Sequence, residues 1–233
     1  MSLDKLKALA AQAKDIPPPR ECFLHYPTGV PVLDFGGCLG LPAGRVVHLY
    51  GEAETGKTTI ALQAIAEIQR AGWQVGYVDW QLGFIPEWAT HLGVDLDQVL
   101  LMQPDSQQAG LKAAQEIIKA KVPLLVLDGC FTPSAKETSA ADIHALWANY
   151  CPGLKEAAVK SGTAILCLSA LVRHKDSFAR DPKDLTPSAM KYIADRRIKL
   201  EKGSNPPVIR YKIEKDKFGP NMGFTSTYNL PVP

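Results

Sequence analysis

One stretch, RVVHLYGEAETGKTTIALQAIAEIQRAG (residues 45–72), constrains the possible folds more than any other part of this 233-residue chain. An apolar run leads into a loop with a glycine at each end, and a segment with apolar residues at helical spacing follows. The loop matches G-x-x-x-x-G-K-[ST] in full. In such a strand–loop–helix unit, backbone N–H groups and the start of the helix face a phosphate. The predicted phosphate site consists of Gly51, Glu52, Ala53, Glu54, Thr55, Gly56, Lys57, Thr58 and Thr59.

A second apolar run, PLLVLD, ends at Asp128. A buried strand of this kind holds its last carboxylate rigidly, beside the Mg²⁺ ion of a bound nucleotide. We expect Lys57 to reach the β- and γ-phosphates, and Thr58 and Asp128 to hold Mg²⁺. An aspartate after an apolar strand is often only a turn residue, but the glycine loop favours the functional interpretation.

Apolar runs and helical segments alternate through most of the chain. This order predicts an α/β fold with a mostly parallel twisted sheet and helices on both faces. The last three segments, DRRIKLEKG, PPVIRYKIEKD and GFTSTYNL, alternate in polarity and are joined by short turns, so they predict antiparallel strands appended to the sheet edge. A helix within residues 140–160 is expected to break near Pro152.

The N-terminal segment predicts a separate unit. Residues 1 to about 16 have an amphipathic helical pattern, and IPPPRE then breaks it. We therefore divide the chain into a helix and proline-rich linker at 1–20 and a core at 21–233. The longest apolar run, AILCLSALV, is far below the ~20 residues that span a bilayer. Five cysteines without a C-x-x-C pair predict reduced thiols, so we expect a cytoplasmic protein with no membrane partner.

The net charge of +2 conceals an asymmetry. Residues 171–217 contain 13 Lys and Arg against 7 Asp and Glu, a balance of +6, which leaves −4 for the rest of the chain. A basic C-terminal third indicates a side that faces a polyanion, and solvated strand faces would explain the charge equally well.

Several segments together resemble the RecA-type recombinase family. They are TGVPVLDFGGCLGLPAGRVVHLYGEAETGKTT, YVDWQLGFIPEWATHLGVDLDQVLLMQPD, LLVLDG, VIRYKIEKDKFGPNMG and, more briefly, DKLKALAAQAK. The resemblance implies a RecA-like P-loop ATPase core that binds ATP and Mg²⁺. It also implies that segment 1–20 is a shortened oligomerisation helix.

The resemblance assigns further residues to the ATP site. Trp88 falls where the family stacks an aromatic ring on adenine, although an aromatic on a helix face is often only a core residue. Lys215 and Lys217 fall where a neighbouring subunit presents two lysines to the γ-phosphate, in the manner of arginine fingers. The alternative for these lysines is an ordinary exposed strand face.

Two positions depart from the family pattern. The water-activating glutamate of the family falls on Gln81, and its γ-phosphate-sensing glutamine falls on Ala170. An amide does not accept the proton of water as a carboxylate does, and alanine has no hydrogen-bonding side chain. We therefore expect weak or absent hydrolysis, with Glu52 or Glu54 as substitute bases.

The segment Val172–Ser188 falls on the second DNA-binding loop of the family. Basic groups that follow phosphates and an aromatic that stacks on bases are typical of single-stranded DNA binding, and an ordinary charged loop is the alternative. The first DNA-binding loop would lie in FTPSAKETSAAD and is shorter than in the family. The DNA-binding candidates are Arg173, His174, Lys175, Phe178, Arg180 and Lys183.

Three functions follow from these features. The first is an ATP-dependent, single-stranded-DNA-binding recombinase core that assembles with itself as a filament, a ring or an ATP-dependent dimer. The second is a non-catalytic RecA-fold accessory protein that binds ATP and a recombination, repair or replication protein. The third is another P-loop enzyme, such as a small-molecule kinase, which the paired lysines, the basic loop and the lack of a lid segment disfavour.

Overall fold

The computed structural model describes residues 25–34, 40–132, 139–172, 183–203, 205, 207–218 and 222–231. The strands are β1 (His25–Tyr26), β2 (Leu41–Pro42), β3 (Val46–Gly51), β4 (Val75–Asp79), β5 (Val99–Met102), β6 (Leu124–Asp128), β7 (Ala164–Val172), β8 (Lys183–Asp184), β9 (Arg196–Lys202), β10 (Val208–Asp216) and β11 (Thr225–Asn229). The α-helices are α1 (Pro31–Asp34), α2 (Lys57–Arg70), α3 (Pro86–His91), α4 (Gln107–Lys119), α5 (Ala140–Ser161) and α6 (Ser188–Ile193), with a 3₁₀ turn at Leu96–Gln98.

The main sheet has the order β11-β10-β9-β3-β7-β6-β4-β5. All neighbours from β9 to β5 are parallel, whereas β10 pairs antiparallel with β9 and with β11. Strand β8 pairs antiparallel with the end of β7, and β1 and β2 form a separate two-stranded ribbon. The predicted parallel sheet and the antiparallel strands at its C-terminal edge are therefore confirmed.

Strand β6 explains why the sheet is covered on both faces. All five of its residues are buried. Leu124 and Val126 pack into the cluster that contains the apolar face of α2, whereas Leu125 and Leu127 pack into the cluster that contains α4 and α5. Successive strand residues point to opposite faces, so a run without polar alternation requires helices on both sides.

Helix α5 contradicts the prediction of a break at Pro152. The helix is continuous from Ala140 to Ser161 with the proline inside it. Trp147, Cys151 and Leu154, which flank the proline on both sides, are buried to 1% exposure or less. We infer that this packing outweighs the N–H bond that the proline removes, and the sequence period alone does not show it.

The parallel arrangement places chemically important strand ends together. Gly51, Asp79 and Asp128 each end a parallel strand, and Asp79 is the register partner of Asp128. The described helices include none that is long and apolar enough to cross a membrane. Cys130, Cys151 and Cys167 are buried free thiols, as expected, while the predicted N-terminal helix and linker lie outside the described residues.

Candidate functional site

The glycine loop between β3 and α2 is shaped by contacts that exclude a side chain. A Cβ on Gly51 would meet the carbonyl oxygen of Leu200 at 2.4 Å. Gly56, just before the first residue of α2, has φ 77°, and a Cβ there would meet Leu230 Cδ2 at 2.5 Å. The first glycine is therefore required by space, because backbone cannot move aside, and the second is favoured by its backbone conformation.

Lys57 lies inside this loop. Its Nζ donates to the carbonyl oxygens of Gly51 at 3.1 Å and Glu52 at 2.6 Å, and lies 3.4 Å from Thr55 Oγ1. Burial lowers the pKa of Lys57 to about 8, although the nearby charge of Asp128 opposes the shift. The ammonium group is thus held at the centre of the loop, where phosphate oxygens could replace the carbonyl acceptors.

Thr58 and Asp128 are brought into direct contact. Thr58 Oγ1 donates to Asp128 Oδ2 at 2.9 Å, and the buried Tyr77 hydroxyl donates to the same oxygen at 2.6 Å. Burial raises the pKa of Asp128, and the hydrogen bonds from Tyr77 and Thr58 oppose this shift. A hydroxyl and a carboxylate beside the phosphate loop are the hard oxygen donors that Mg²⁺ prefers, so this pair fits the ion. Sequence reasoning missed Tyr77, since nothing local to VGYVD indicates this partner.

Asp79 shapes the loop after β4. Its fully buried carboxylate accepts hydrogen bonds from the backbone N–H groups of Gln81 (3.1 Å), Gly83 (3.1 Å) and Phe84 (3.0 Å). The side chain of Gln103 adds a fourth at 3.1 Å. Because three of these contacts hold the loop in place and the fourth occupies the carboxylate further, Asp79 serves as a positioning residue and is poorly placed to activate water.

Gln81 is carried by this loop to the backbone that follows Asp128. Its Nε2 donates to Thr132 Oγ1 at 3.0 Å. Gly129, which follows Asp128, has φ 82°, and a Cβ there would meet Gln81 Cγ at 2.6 Å. The Gln81 side chain therefore lies against the backbone that follows Asp128.

The backbone after Asp128 is held by Gln107, a residue that sequence reasoning missed. Gln107, fully buried at the start of α4, donates from Nε2 to the carbonyl oxygens of Gly129 (3.4 Å) and Thr132 (3.1 Å). Its Oε1 accepts from Trp147 Nε1 at 3.1 Å. A glutamine in a polar helix start gives no local sign of such a role.

Phe131 corrects part of the expected first DNA-binding loop. Its ring is buried and packs edge-on against Trp147, with centroids 4.6 Å apart, and against His48 at 6.0 Å. The start of FTPSAKETSAAD thus belongs to the core. Toward the other end of this segment, Ser139 caps the N-terminus of α5. Residues 133–138, between them, lie outside the described part.

One more candidate lies beside the phosphate loop and another within it. The indole Nε1 of Trp88 lies 3.5 Å from Thr59 Oγ1, and one face of the ring stacks on His91. Glu54 forms an ion pair with Lys202 at 2.8 Å, and the hydrogen bond from that lysine lowers the pKa of Glu54. A lowered pKa makes Glu54 a weaker base.

Ala170 and the two late lysines have different positions. Ala170 is the register partner of Gly51, so its methyl group lies beside the loop. Lys215 pairs with Arg197 on β9. Arg197 precedes Leu200 by three residues, and Leu200 is the register partner of Gly51. Lys215 therefore lies about 10 Å from the level of Gly51, measured along β9 toward its amino end. The structure therefore does not bring Lys215 or Lys217 to the phosphate loop of the same chain.

Lys215 and Lys217 have local partners at that far edge. Lys215 Nζ donates to the carbonyl oxygens of Lys191 (2.8 Å) and Tyr192 (3.0 Å). Lys217 Nζ lies 3.5 Å from Asp195 Oδ1.

Among the DNA-binding candidates, Lys183 is described and the other five lie outside the described residues. Lys183 is exposed and pairs with Val172, so both ends of segment 173–182 start from one short ribbon. Asp184 anchors this ribbon through Arg197 at 2.9 Å and Lys191 at 3.0 Å. Burial opposes its ionisation, but hydrogen bonds from Thr186 and Lys191 lower the pKa of Asp184 to about 2.

Comparisons with known proteins agree with this geometry. The family model of the RecA N-terminal domain matches residues 23–175. "Protein RecA" of Tropheryma whipplei is 33% identical over 214 residues, covering 83% of this chain and 49% of the relative. "Protein RecA" of Kineococcus radiotolerans is 32% identical over 225 residues, covering 88% and 64%. The chain thus spans about half to two thirds of the length of these relatives.

A solved structure supports the fold. The crystal structure of the RadB recombinase superposes with a TM-score of 0.68 at 21% sequence identity, covering 88% of this chain and 96% of that one. The family model covers more than half of the chain. The chain therefore belongs to the RecA family.

Proposed function

We propose that this protein binds ATP with Mg²⁺, that the bound ATP joins one copy to the next on single-stranded DNA, and that it is hydrolysed slowly. One observation carries the proposal. A phosphate loop follows the carboxyl end of β3, while the two lysines expected to complete the site lie near the amino end of that strand, two strands to the side.

The nucleotide-binding half of the site is supported by its contacts. Phosphate oxygens would replace the carbonyl acceptors of Lys57, and the exposed N–H groups of the glycine loop would supply further donors. Thr58 and Asp128 would hold Mg²⁺, which neutralises phosphate charge when bound. Trp88 lies beside Thr59, stacks one ring face on His91 and is partly buried against the core, and its remaining surface is the candidate for stacking on the adenine.

Slow hydrolysis is supported by the groups around the γ-phosphate position. Gln81 presents an amide, and Ala170 presents a methyl group. Asp79 is fully engaged by the loop that it shapes, and Glu54 is paired with Lys202. A positioned general base contributes about 10²–10⁴-fold to rate, so its loss slows turnover without removing ATP binding.

Assembly through the nucleotide follows from the separation of the two half-sites. Besides the offset along the strands, β10 is two strand spacings, or about 10 Å, to the side of β3. We therefore expect Lys215 and Lys217 to approach a γ-phosphate from another copy. Contact between unlike edges is heterologous, so it generates a filament or a ring.

Binding to single-stranded DNA is the third part of the proposal. Lys183 and the basic residues of 173–182 are grouped on one segment, whose base is anchored by the Asp184–Arg197 ion pair. Membership in the RecA family also favours a role in recombination, since the similar proteins are RecA proteins and, in fold, a RadB recombinase. Such binding should be tolerant of sequence and sensitive to salt, since it relies on phosphate neutralisation.

Fluorescence anisotropy with labelled oligo-dT tests the proposal directly. The protein is titrated without nucleotide, with ADP, with ATP and with a non-hydrolysable ATP analogue, and the same samples are sized by light scattering. Salt-sensitive binding that requires the triphosphate and coincides with large particles is the expected result. Lys57→Met, which removes the phosphate-binding amine, should show neither effect.

The accessory-protein function is the second candidate, because Gln81 and Ala170 both lack the groups that would support turnover. In that case ATP would bind, DNA would not bind in any nucleotide state, and the partner would be a recombination, repair or replication protein. Membership in the RecA family disfavours the small-molecule kinase.

A further inference from the structure

A group of basic side chains surrounds one carboxylate at the sheet edge opposite the phosphate loop. Lys155 extends from α5 to contact Asp195 Oδ2, and Lys217 Nζ lies 3.5 Å from Asp195 Oδ1. Arg45, which precedes β3, and Lys215 are close enough for their charges to lower the pKa of Lys155. We call Arg45, Lys155, Lys215 and Lys217 the cationic cluster, with Asp195 as its central carboxylate.

The cluster contains more positive charge than its central carboxylate can neutralise. Burial and the charges of Arg45, Lys217 and Lys215 lower the pKa of Lys155 to about 8, even though Asp195 is in contact with it. The neighbouring Asp216 is fully buried with Arg196, at 3.6 Å, so that pair adds little net charge. Cations that destabilise one another in this way create a positive potential that favours a bound anion.

The cluster opens toward solvent on the side of its cations. The side chain of Asp195 is 4% exposed and is also fixed from inside, because its Oδ2 accepts the backbone N–H of Val46 at 3.0 Å. The side chain of Lys217 is half exposed, that of Lys155 is one-fifth exposed, and Arg45 is exposed. An incoming anion would therefore meet the amines before it met the carboxylate.

Lys155 and Lys217 are close enough to bind the same small anion. Both contact the oxygens of a single carboxylate, although one extends from a helix and the other follows β10. A terminal phosphate is of similar size and offers more oxygens and more charge than a carboxylate. Lys215 Nζ, by contrast, is directed to the carbonyl oxygens at the end of α6.

We propose that Lys155 is a third amine, beside Lys215 and Lys217, for the terminal phosphate of a nucleotide bound by another copy of this chain. Asp195 acts as the resident counter-ion, which keeps Lys155 and Lys217 together until the phosphate arrives. This inference rests on the proposed assembly through ATP. It adds a residue from a helix, remote in sequence from the two lysines already assigned.

The test compares four variants by analytical ultracentrifugation with a non-hydrolysable ATP analogue. Lys155→Met removes the amine, and Lys155→Arg keeps the charge. Lys217→Met is the positive control, and Lys160→Met is the matched control, because Lys160 lies on the same helix, is exposed and pairs with Glu156. Thermal unfolding and ATP affinity, both measured on dilute monomer, establish that each variant folds and that its own phosphate loop is intact.

Loss of one charge-assisted contact should raise the concentration for half-assembly about tenfold or more in Lys155→Met. Lys155→Arg should recover most of this loss, and Lys160→Met should match the unaltered protein. ATP affinity of the monomer should be unchanged in all three. Lys155→Met also removes a counter-ion of the nearly buried Asp195, so it should lower the thermal midpoint whatever the role of Lys155. A merely structural role would leave the concentration for half-assembly unchanged at temperatures well below that midpoint.

Two results would overturn the inference in different ways. If Lys155→Met assembles like the unaltered protein while Lys217→Met does not, Lys155 takes no part and the proposed function stands. If the unaltered protein does not assemble with any nucleotide, the proposed function fails, and this inference fails with it.

A final arm distinguishes a neighbour's nucleotide from a free anion. Inorganic tripolyphosphate is added to Lys57→Met, whose own loop is disabled. The cluster attracts anions but has no phosphate loop of its own, so we expect Lys155-dependent stabilisation of this monomer only at tripolyphosphate concentrations about tenfold or more above those of the ATP analogue that drive assembly. Stabilisation at the same concentrations as assembly would show that the cluster is a site for free polyphosphate and would contradict the assignment to a neighbouring copy.

Discussion

Replacing Asp79 by asparagine tests the account of the loop that carries Gln81. The two carboxylate oxygens of Asp79 divide four donors between them. Oδ1 accepts from the N–H groups of Gln81 and Gly83, and Oδ2 accepts from Phe84 N–H and Gln103 Nε2. An asparagine has a single acceptor oxygen and replaces the other with an NH₂ donor.

The expected cost follows from that change. If the asparagine oxygen keeps Gln81 and Gly83, its NH₂ group faces two donors. The Gln103 amide can rotate to present its oxygen, but the Phe84 N–H cannot and loses its partner in a buried position. Hydrogen bonds to a charged group contribute about 1.5–3 kcal/mol each, so Asp79→Asn should lower the free energy of unfolding by about 3 kcal/mol.

Two assays check this result. Urea unfolding gives the change in stability, and hydrogen exchange should show faster exchange at the amides of residues 81, 83 and 84. Asp97→Asn, at an exposed position in the 3₁₀ turn, is the control and should change stability by less than about 0.5 kcal/mol. A loss below about 1 kcal/mol in Asp79→Asn, with unchanged exchange at these amides, would refute the positioning role.

Three further outcomes follow from the site. Burial, assisted by the charge of Arg197, lowers the pKa of His48 to about 3, so its stabilisation is complete above the unfolded pKa of about 6.5 and is lost as the pH falls. Protonation of His48 should lower the free energy of unfolding by about 2 kcal/mol between pH 7.5 and 5.0. The His48→Gln variant should lose this pH dependence in urea unfolding, and the same pH dependence in the variant and the unaltered protein would contradict the lowered pKa of His48. Gln81→Glu should raise DNA-stimulated phosphate release about 10²-fold or more at similar ATP affinity, whereas the control Gln81→Asn should leave the rate unchanged. An unchanged rate in Gln81→Glu would indicate that Ala170, and not Gln81, limits hydrolysis. Trp88→Ala should weaken ATP binding by about 1–3 kcal/mol and leave tripolyphosphate binding unchanged in calorimetry, and equal losses for both ligands would argue against a stacked base.

The fold and the phosphate loop could be predicted because their signals are local. Strand β6 is a continuous apolar run, and α2 has a helical period directly after the glycine loop. Gly51, Lys57 and Thr58 have fixed spacing in one motif, so the chain places them together whatever the rest of the sheet does.

The remaining parts of the site depend on contacts between distant segments. Tyr77 and Asp128 are 51 residues apart and meet only because β4 and β6 are adjacent in the sheet. Gln107 reaches the loop after β6 from a helix whose sequence looks like any polar helix start. The break expected at Pro152 did not occur because buried neighbours hold the helix. Such effects arise in the assembled core and have no short sequence signature.

Mixing two inactive variants measures the central claim most directly. Lys57→Met lacks a working phosphate loop but retains the lysines of the far edge, and Lys217→Met has the reverse defect. If ATP joins the phosphate loop of one copy to the lysines of the next, neither variant should assemble alone. In a mixture, the phosphate loop of Lys217→Met can bind the lysines of Lys57→Met. The other binding surface of each copy is disabled, so assembly should stop at the dimer. Sedimentation velocity with a non-hydrolysable ATP analogue should therefore show monomers for each variant and a dimer for the mixture. Monomers in the mixture, under conditions where the unaltered protein assembles, would contradict the account.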